Sequence, residues 1–152
     1  MNVLFVCTGN TCRSPMAAAM MAQISEDNDM AVYCDSAGIM AEVGAPASEN
    51  ARKAARPYGA DLSSHRAKQL DGELLSSADL VLAMTEGQKM MLAALGGVKN
   101  VYTLGEYSGC GGDVPDPYGG DLAEYEETAA AIYDMLTDAA ERMQDEMDDG
   151  KY

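Results

Sequence analysis

Residues 7 to 13 read Cys-Thr-Gly-Asn-Thr-Cys-Arg, directly after the apolar run Val3-Leu4-Phe5-Val6 and directly before Ser14-Pro15 and an alanine- and methionine-rich stretch. A strand, a tight loop and a helix start in that order aim backbone N–H groups and a helix N-terminus at one point, which suits an anion. A thiol opens the loop and a guanidinium closes it. Arg13 offers a planar fork to two phosphoryl oxygens at once, which a lysine cannot copy. Cys7 sits where thiols ionise readily, facing a helix N-terminus and an arginine, and is expected to meet substrate as the thiolate. Gly9 and Asn10 occupy positions suited to positive φ. Ser14 is expected to donate its hydroxyl to the sulfur and to cap the helix, with Pro15 at its first position. Thr8, Gly9, Asn10, Thr11, Cys12 and Ser14 then form a phosphate cradle around the nucleophile. The chemistry implied is phosphoryl transfer to cysteine.

Such a reaction also needs a proton donor for the departing group and later a base for the attacking water, and one carboxyl can do both. Asp116 is the best candidate. It opens Asp116-Pro117-Tyr118-Gly119-Gly120, in which Pro117 stiffens the backbone and the glycines permit close approach to the cradle. Asp113 is the nearby rival, and spacing alone does not separate them. On this mechanism Cys7→Ser is expected to bind phosphate without forming a phosphoenzyme.

These residues must be positioned by a scaffold, and the chain alternates apolar runs with helical periods throughout. Strands are expected over residues 2–7, 30–36, 79–84 and 98–104. Helices are expected over 14–25, after a Ser48 cap as far as Pro57 and Gly59, near 71–77, from a Thr85/Gln88 capping box to Gly96-Gly97, and over 122–147. Residues 105–120 read as a long glycine-rich loop, which requires a functional reason. Four strands each followed by a helix predict an α/β fold: a single three-layer domain over 1–152, with a four-stranded parallel sheet flanked by helices on both faces. Ligands of such sheets sit beyond the carboxyl ends of the strands. The Cys7 loop begins there, and Ser36, Met84-Thr85 and the glycine-rich loop reach the same edge.

The 152 residues suit one core of ordinary size, and the twelve methionines are best read as packing. The net charge of −15 is uneven, because residues 116–152 hold twelve acids against two bases. That stretch is read as a solvated helix face, and it argues against nucleic acid or an anionic membrane as partner. No apolar window approaches the length of a membrane span. The expectation is a cytoplasmic monomer. The four cysteines, at 7, 12, 34 and 110, show no metal-ligand spacing, so neither a metal nor a cofactor is expected. Cys12 lies on the loop of Cys7, which suggests a reversible disulfide that protects the nucleophile from over-oxidation.

The Cys7–Ser14 loop, Ser36-Ala37-Gly38, Ser64-His65-Arg66-Ala67, Asp79–Met84 and Asp116–Gly119 occur in the order and spacing of the low-molecular-weight protein tyrosine phosphatases, and the chain resembles that family over nearly its whole length. The resemblance implies Cys7 as nucleophile, Arg13 as phosphate clamp, Ser14 as thiolate donor and Asp116 as general acid. It also implies that Asn10, Ser36 and His65 hold the loop in its strained shape, and that the partners are phosphorylated proteins. CTGNTCRSPM is similar to the bacterial protein-arginine-phosphatase branch. Members acting on phosphotyrosine carry a β-branched aliphatic residue at the place of Thr11. Tyr118 is the aromatic residue of the tyrosine-specific branch, so phosphotyrosine stays open as the alternative substrate. Arsenate reductases of similar fold relay oxidation to a cysteine pair after the third strand, and this chain has no cysteine between Cys34 and Cys110. A non-catalytic phosphate-binding module would explain the loop but would not require Asp116.

Overall fold

The computed structural model describes residues 1–152. Strand β1 (Asn2–Cys7) is followed by helix α1 (Arg13–Asp27), β2 (Tyr33–Gly38), α2 (Glu49–Ala55) with a 3-10 turn over Arg56–Tyr58, and α3 (Gly72–Ser77). Then come β3 (Leu80–Ala83), α4 (Glu86–Leu95), β4 (Val101–Thr103), α5 (Leu104–Ser108) and α6 (Leu122–Asp148). The four strands form one parallel sheet in the order β2-β1-β3-β4.

Side chains of a strand alternate between faces, and the sheet divides its apolar residues accordingly. Val3 and Phe5 of β1 and Leu80 and Leu82 of β3 join the larger core with α1, α2, α5 and α6. Leu4, Val6, Val81 and Ala83 point the other way, onto Leu75 of α3 and Leu92 of α4. Both faces are therefore covered, which is why these strands read as unbroken apolar runs. The buried methionines Met16, Met20, Met21 and Met143 do pack the larger core.

The helix caps follow the sequence where a side-chain oxygen was there to take a free N–H. Ser48 Oγ accepts from Ala51, Asp71 from Leu74, and Thr85 and Gln88 make the reciprocal box at the start of α4. The exception is α1. It begins at Arg13, one residue before the expected start, its Cys12 cap makes no side-chain bond, and Pro15 stands at its third position. Ser14 does not cap because its hydroxyl is committed to the Cys7 sulfur. Strand β2 runs two to three residues later than expected, since pairing with β1 sets its register and puts Gly38 opposite Cys7. Strand β4 is short, and the expected loop begins instead as α5. Thr103 and Glu106 form a second capping box there, a signal masked by Gly105 and Gly109.

Helix α5 is clamped to α6. Tyr107 donates its hydroxyl to Glu146 Oε2 at 3.0 Å, and Arg142 Nε donates to Glu146 Oε1 at 2.8 Å while its guanidinium lies 4.2 Å from the centre of the Tyr107 ring. Burial alone would raise the Glu146 carboxyl, but Arg142, Tyr107 and Lys151 together hold it below the usual carboxylate range. The long segment between α5 and α6, which carries Asp113 and Asp116, is thereby fixed at both ends. No helix is long and apolar enough to cross a membrane.

Candidate active site

The Cys7–Arg13 loop leaves the carboxyl end of β1 in the middle of the sheet. Asn10 is the loop's one left-handed residue, with φ of 58°, and it is fully buried. Gly9, expected to share that conformation, does not adopt positive φ. One left-handed turn suffices because the Asn10 side chain is locked on every side. The backbone N–H of Lys68 donates to Asn10 Oδ1 at 3.0 Å, so the amide nitrogen must be the donor toward Ser36 Oγ (3.0 Å) and Ser14 Oγ (2.9 Å). His65 Nε2 donates to the Asn10 carbonyl at 2.7 Å, which fixes the proton on that ring nitrogen.

This chain of donors ends at Cys7. Ser14 Oγ already accepts from Asn10, so its own proton is free for Cys7 Sγ, 2.9 Å away. The Asn10 backbone N–H also donates to that sulfur, at 3.3 Å. Two protons converge on Cys7 from buried, pre-oriented groups, the environment a negatively charged sulfur requires. Gly38 explains the Ser36-Ala37-Gly38 motif. A Cβ there would lie 2.7 Å from the Thr8 carbonyl and 3.1 Å from Asn10 Cβ, so only glycine lets β2 pack under the loop.

Cys7, Thr8, Gly9, Asn10, Thr11, Cys12, Arg13, Asp116 and Tyr118 line one cavity of about 230 Å³. Arg13 is buried and donates from Nη1 to the Val114 carbonyl at 3.0 Å, while Nη2 lies 3.6 Å from Asp116 Oδ2. Asp116 is about half exposed, so its carboxyl faces the cavity and the solvent together. Tyr118 stands at the rim with 80% exposure, its N–H donating to Asp116 Oδ1. Thr11 Oγ1 has only a weak contact with Cys12 Sγ, at 3.7 Å.

Asp113 is placed differently. Its Oδ1 accepts from the Glu86 N–H at 2.9 Å at the start of α4, and the Val114 N–H donates to the Met84 carbonyl beside it. Asp113 therefore anchors the loop that carries Asp116. Asp113→Ala is expected to lower kcat about fivefold, the size of a lost helix cap, with KM little changed. Asp116→Asn should lower it about a hundredfold or more. Equal losses in the two variants would return the proton-donor role to Asp113.

Three neighbours of the loop are not evident from the sequence. Gln88 is buried and donates to Thr8 Oγ1 at 3.1 Å while its Oε1 accepts from Met84 and Thr85, so one amide ties α4 to the residue after Cys7. Cys12 Sγ lies 3.4 Å from Tyr125 Oη and 3.5 Å from Ser48 Oγ, joining the loop to α6 and α2. Burial and the Cys12 contact push the Tyr125 phenol up to about 12, so its hydroxyl stays protonated. All four cysteines are free thiols, and no three or more His, Cys, Asp or Glu side chains are gathered as a metal site would need.

Comparison with known proteins agrees with this geometry. The family model described as low molecular weight phosphotyrosine protein phosphatase matches residues 2–149. The chain belongs to this family. It is thus a cysteine-dependent protein phosphatase, an enzyme that hydrolyses phosphorylated proteins. It is 40% identical to a protein-arginine-phosphatase of Bacillus subtilis, over 94% of this chain and 97% of that one. It is 37% identical to the low molecular weight protein-tyrosine-phosphatase Ptp of Acinetobacter johnsonii, over 90% and 94%. A solved C7S variant of the arginine phosphatase YwlE, with its active-site serine phosphorylated, superposes with a TM-score of 0.90 at 39% identity, over 95% and 96% of the two chains.

Proposed function

We propose that this phosphatase acts on phosphoarginine in proteins, with Cys7 as nucleophile, Arg13 as phosphate clamp and Asp116 as general acid and base. The substrate phosphoryl group lies in the cradle of loop N–H groups and the Arg13 fork. Cys7 Sγ attacks phosphorus in line, the P–S bond forms as the P–N bond breaks, and Asp116 gives its proton to the departing guanidinium nitrogen. A water then attacks the cysteinyl phosphate, Asp116 takes its proton, and the sulfur leaves as the thiolate that Ser14 and the Asn10 N–H stabilise. The products are arginine and orthophosphate.

The observation that carries the arginine reading is Thr11. Thr11 lines the cavity and its hydroxyl has no strong partner of its own, so it is available to a guanidinium. The similarity to the Bacillus subtilis protein-arginine-phosphatase supports the same choice. Tyr118 favours the second reading, phosphotyrosine, because it offers an aromatic face at the rim. Turnover of phosphoarginine and phosphotyrosine peptides side by side tests the two. Wild type should prefer phosphoarginine, and Thr11→Ile should shift the ratio of kcat/KM toward phosphotyrosine about tenfold or more, the worth of a lost buried polar contact. An unchanged ratio would favour the tyrosine reading. The free thiols suit a reducing compartment, and the reading includes a cytoplasmic enzyme working as a single chain without a metal or cofactor.

A further inference from the structure

The segments that reach the catalytic cavity differ in charge. Residues 113–127 carry six acids, among them Asp116, Asp121 and Glu124. In α2 and the segment that follows it, positions 52, 53, 56, 66 and 68 hold five of the chain's ten lysines and arginines. Between α2 and residues 59–63 runs an open groove of about 470 Å³, lined by Arg52, Arg56, Gly59, Asp61, Leu62 and Ser63 among others.

Both walls of this groove end on the catalytic loop. At the head of α2, the Ser48 N–H donates to the Thr11 carbonyl at 3.0 Å, and Ser48 Oγ lies against Cys12 Sγ. The opposite wall ends in His65, bonded to the Asn10 carbonyl. Lys53 is paired with Glu49, and Lys68 with Asp35. Arg52 and Arg56 are exposed and lie in no ion pair. The one acid in the groove, Asp61, takes the Ser63 N–H on its carboxylate at 2.9 Å, and that bond, with smaller contributions from Arg56 and Arg52, holds it below the usual carboxylate range without an ion pair to either guanidinium. Two exposed guanidiniums outside any ion pair, on a helix that starts against the catalytic loop, are unexpected in a chain of net charge −15.

We propose that this groove receives the polypeptide flanking the phosphorylated residue and selects flanks that carry aspartate or glutamate. The proposal rests on the phosphatase reading of the cavity and deepens it. With about 1.5 Å of rise per helical residue, Arg52 lies roughly 6 Å and Arg56 roughly 12 Å beyond Ser48. An extended peptide advances about 3.3 Å per residue. Acidic side chains about two to four positions from the phosphorylated residue would therefore meet the two guanidiniums, whose forks match a carboxylate.

The test uses pairs of phosphoarginine peptides, and matching phosphotyrosine peptides, with either Asp or Asn at those positions on one side or the other of the phosphorylated residue. Turnover of para-nitrophenyl phosphate serves as the reference. At low salt the acidic flank should raise kcat/KM about fivefold to tenfold on at least one side, chiefly through KM, and the advantage should shrink at high salt. The Arg52→Gln/Arg56→Gln and Arg52→Glu/Arg56→Glu double variants should abolish it, while the reference turnover and the Asn-flanked peptides keep their wild-type values. Equal rates for acidic and neutral flanks in wild type would overturn the proposal, as would an advantage that survives in both double variants. Failure of the phosphatase reading itself would look different, since wild type would then turn over neither peptides nor the reference.

Discussion

Cys7→Ser is expected to eliminate turnover, with kcat/KM falling by about 10⁴ or more, because the serine hydroxyl is not ionised in the cradle and makes a far poorer leaving group when water attacks. The cradle itself should survive. Asn10, Ser14, Ser36 and His65 hold the loop through bonds among themselves and to the backbone, and only two of the site's hydrogen bonds end on the sulfur. Orthophosphate should therefore still bind. The sequence alone predicts that such a variant makes no phosphoenzyme, whereas a C7S variant of YwlE carries a phosphorylated serine. Intact mass after incubation of Cys7→Ser with a phosphorylated peptide decides between the two for this protein, as one added phosphoryl group or none. Near-wild-type turnover in the variant would sink the cysteine mechanism.

The second large effect is expected at Arg13. Arg13→Lys should cost about a hundredfold or more in kcat/KM, close to 2.7 kcal/mol, although the positive charge is kept. A lysine ammonium is a point charge and cannot span two equatorial oxygens. It would also give up the 3.0 Å bond to the Val114 carbonyl that holds the side chain in plane beside Asp116. Because the clamp and the acid loop meet through this one guanidinium, the variant should lose activity on every substrate alike. Steady-state kinetics on para-nitrophenyl phosphate and on a phosphoarginine peptide would show it. A loss below tenfold, about 1.4 kcal/mol, would mean that the phosphoryl oxygens are held elsewhere.

Asp113 and Gln88 show how the fold sets the distance between the two halves of the chemistry. Both contact the first turn of α4 or the residues leading into it: Asp113 from the loop that carries Asp116, and Gln88 toward the Cys7–Arg13 loop. The N-terminus of α4 is thus the common support that fixes Asp116 relative to Cys7. A weakening there should register in kcat more than in binding.

The Cys7–Arg13 loop was legible in the sequence because its parts are local. Strand, turn and helix start follow one another within a dozen residues, and backbone geometry does the rest from Cys7 to Arg13. The alternating strands and helices, the cap at Ser48 and the box at Thr85 were legible for the same reason, since each depends on residues at most four apart. Expectations failed where a local signal met a distant demand. Ser14 is a good cap by type, yet the sulfur across the loop claimed its hydroxyl. Residues 30–36 are as strand-like as 33–38, yet pairing with β1 chose the later register. Thr103 and Glu106 were hidden by flanking glycines until packing against α6 made the short helix worthwhile.

The sequence by itself determined the kind of reaction, because the thiol, the cradle and the arginine lie within seven consecutive residues. Only the tertiary structure decided which aspartate lines the cavity with Cys7, what locks Asn10 and which helix starts against the loop. Asp116, His65, Lys68 and Gln88 reach the loop across 55 to 103 residues of chain, and contacts over such separations exist only once the sheet has stacked its strand ends on one edge. Hydrogen-bonding capacity is written in residue type. Which partner it meets is set by the packing that brings the two together.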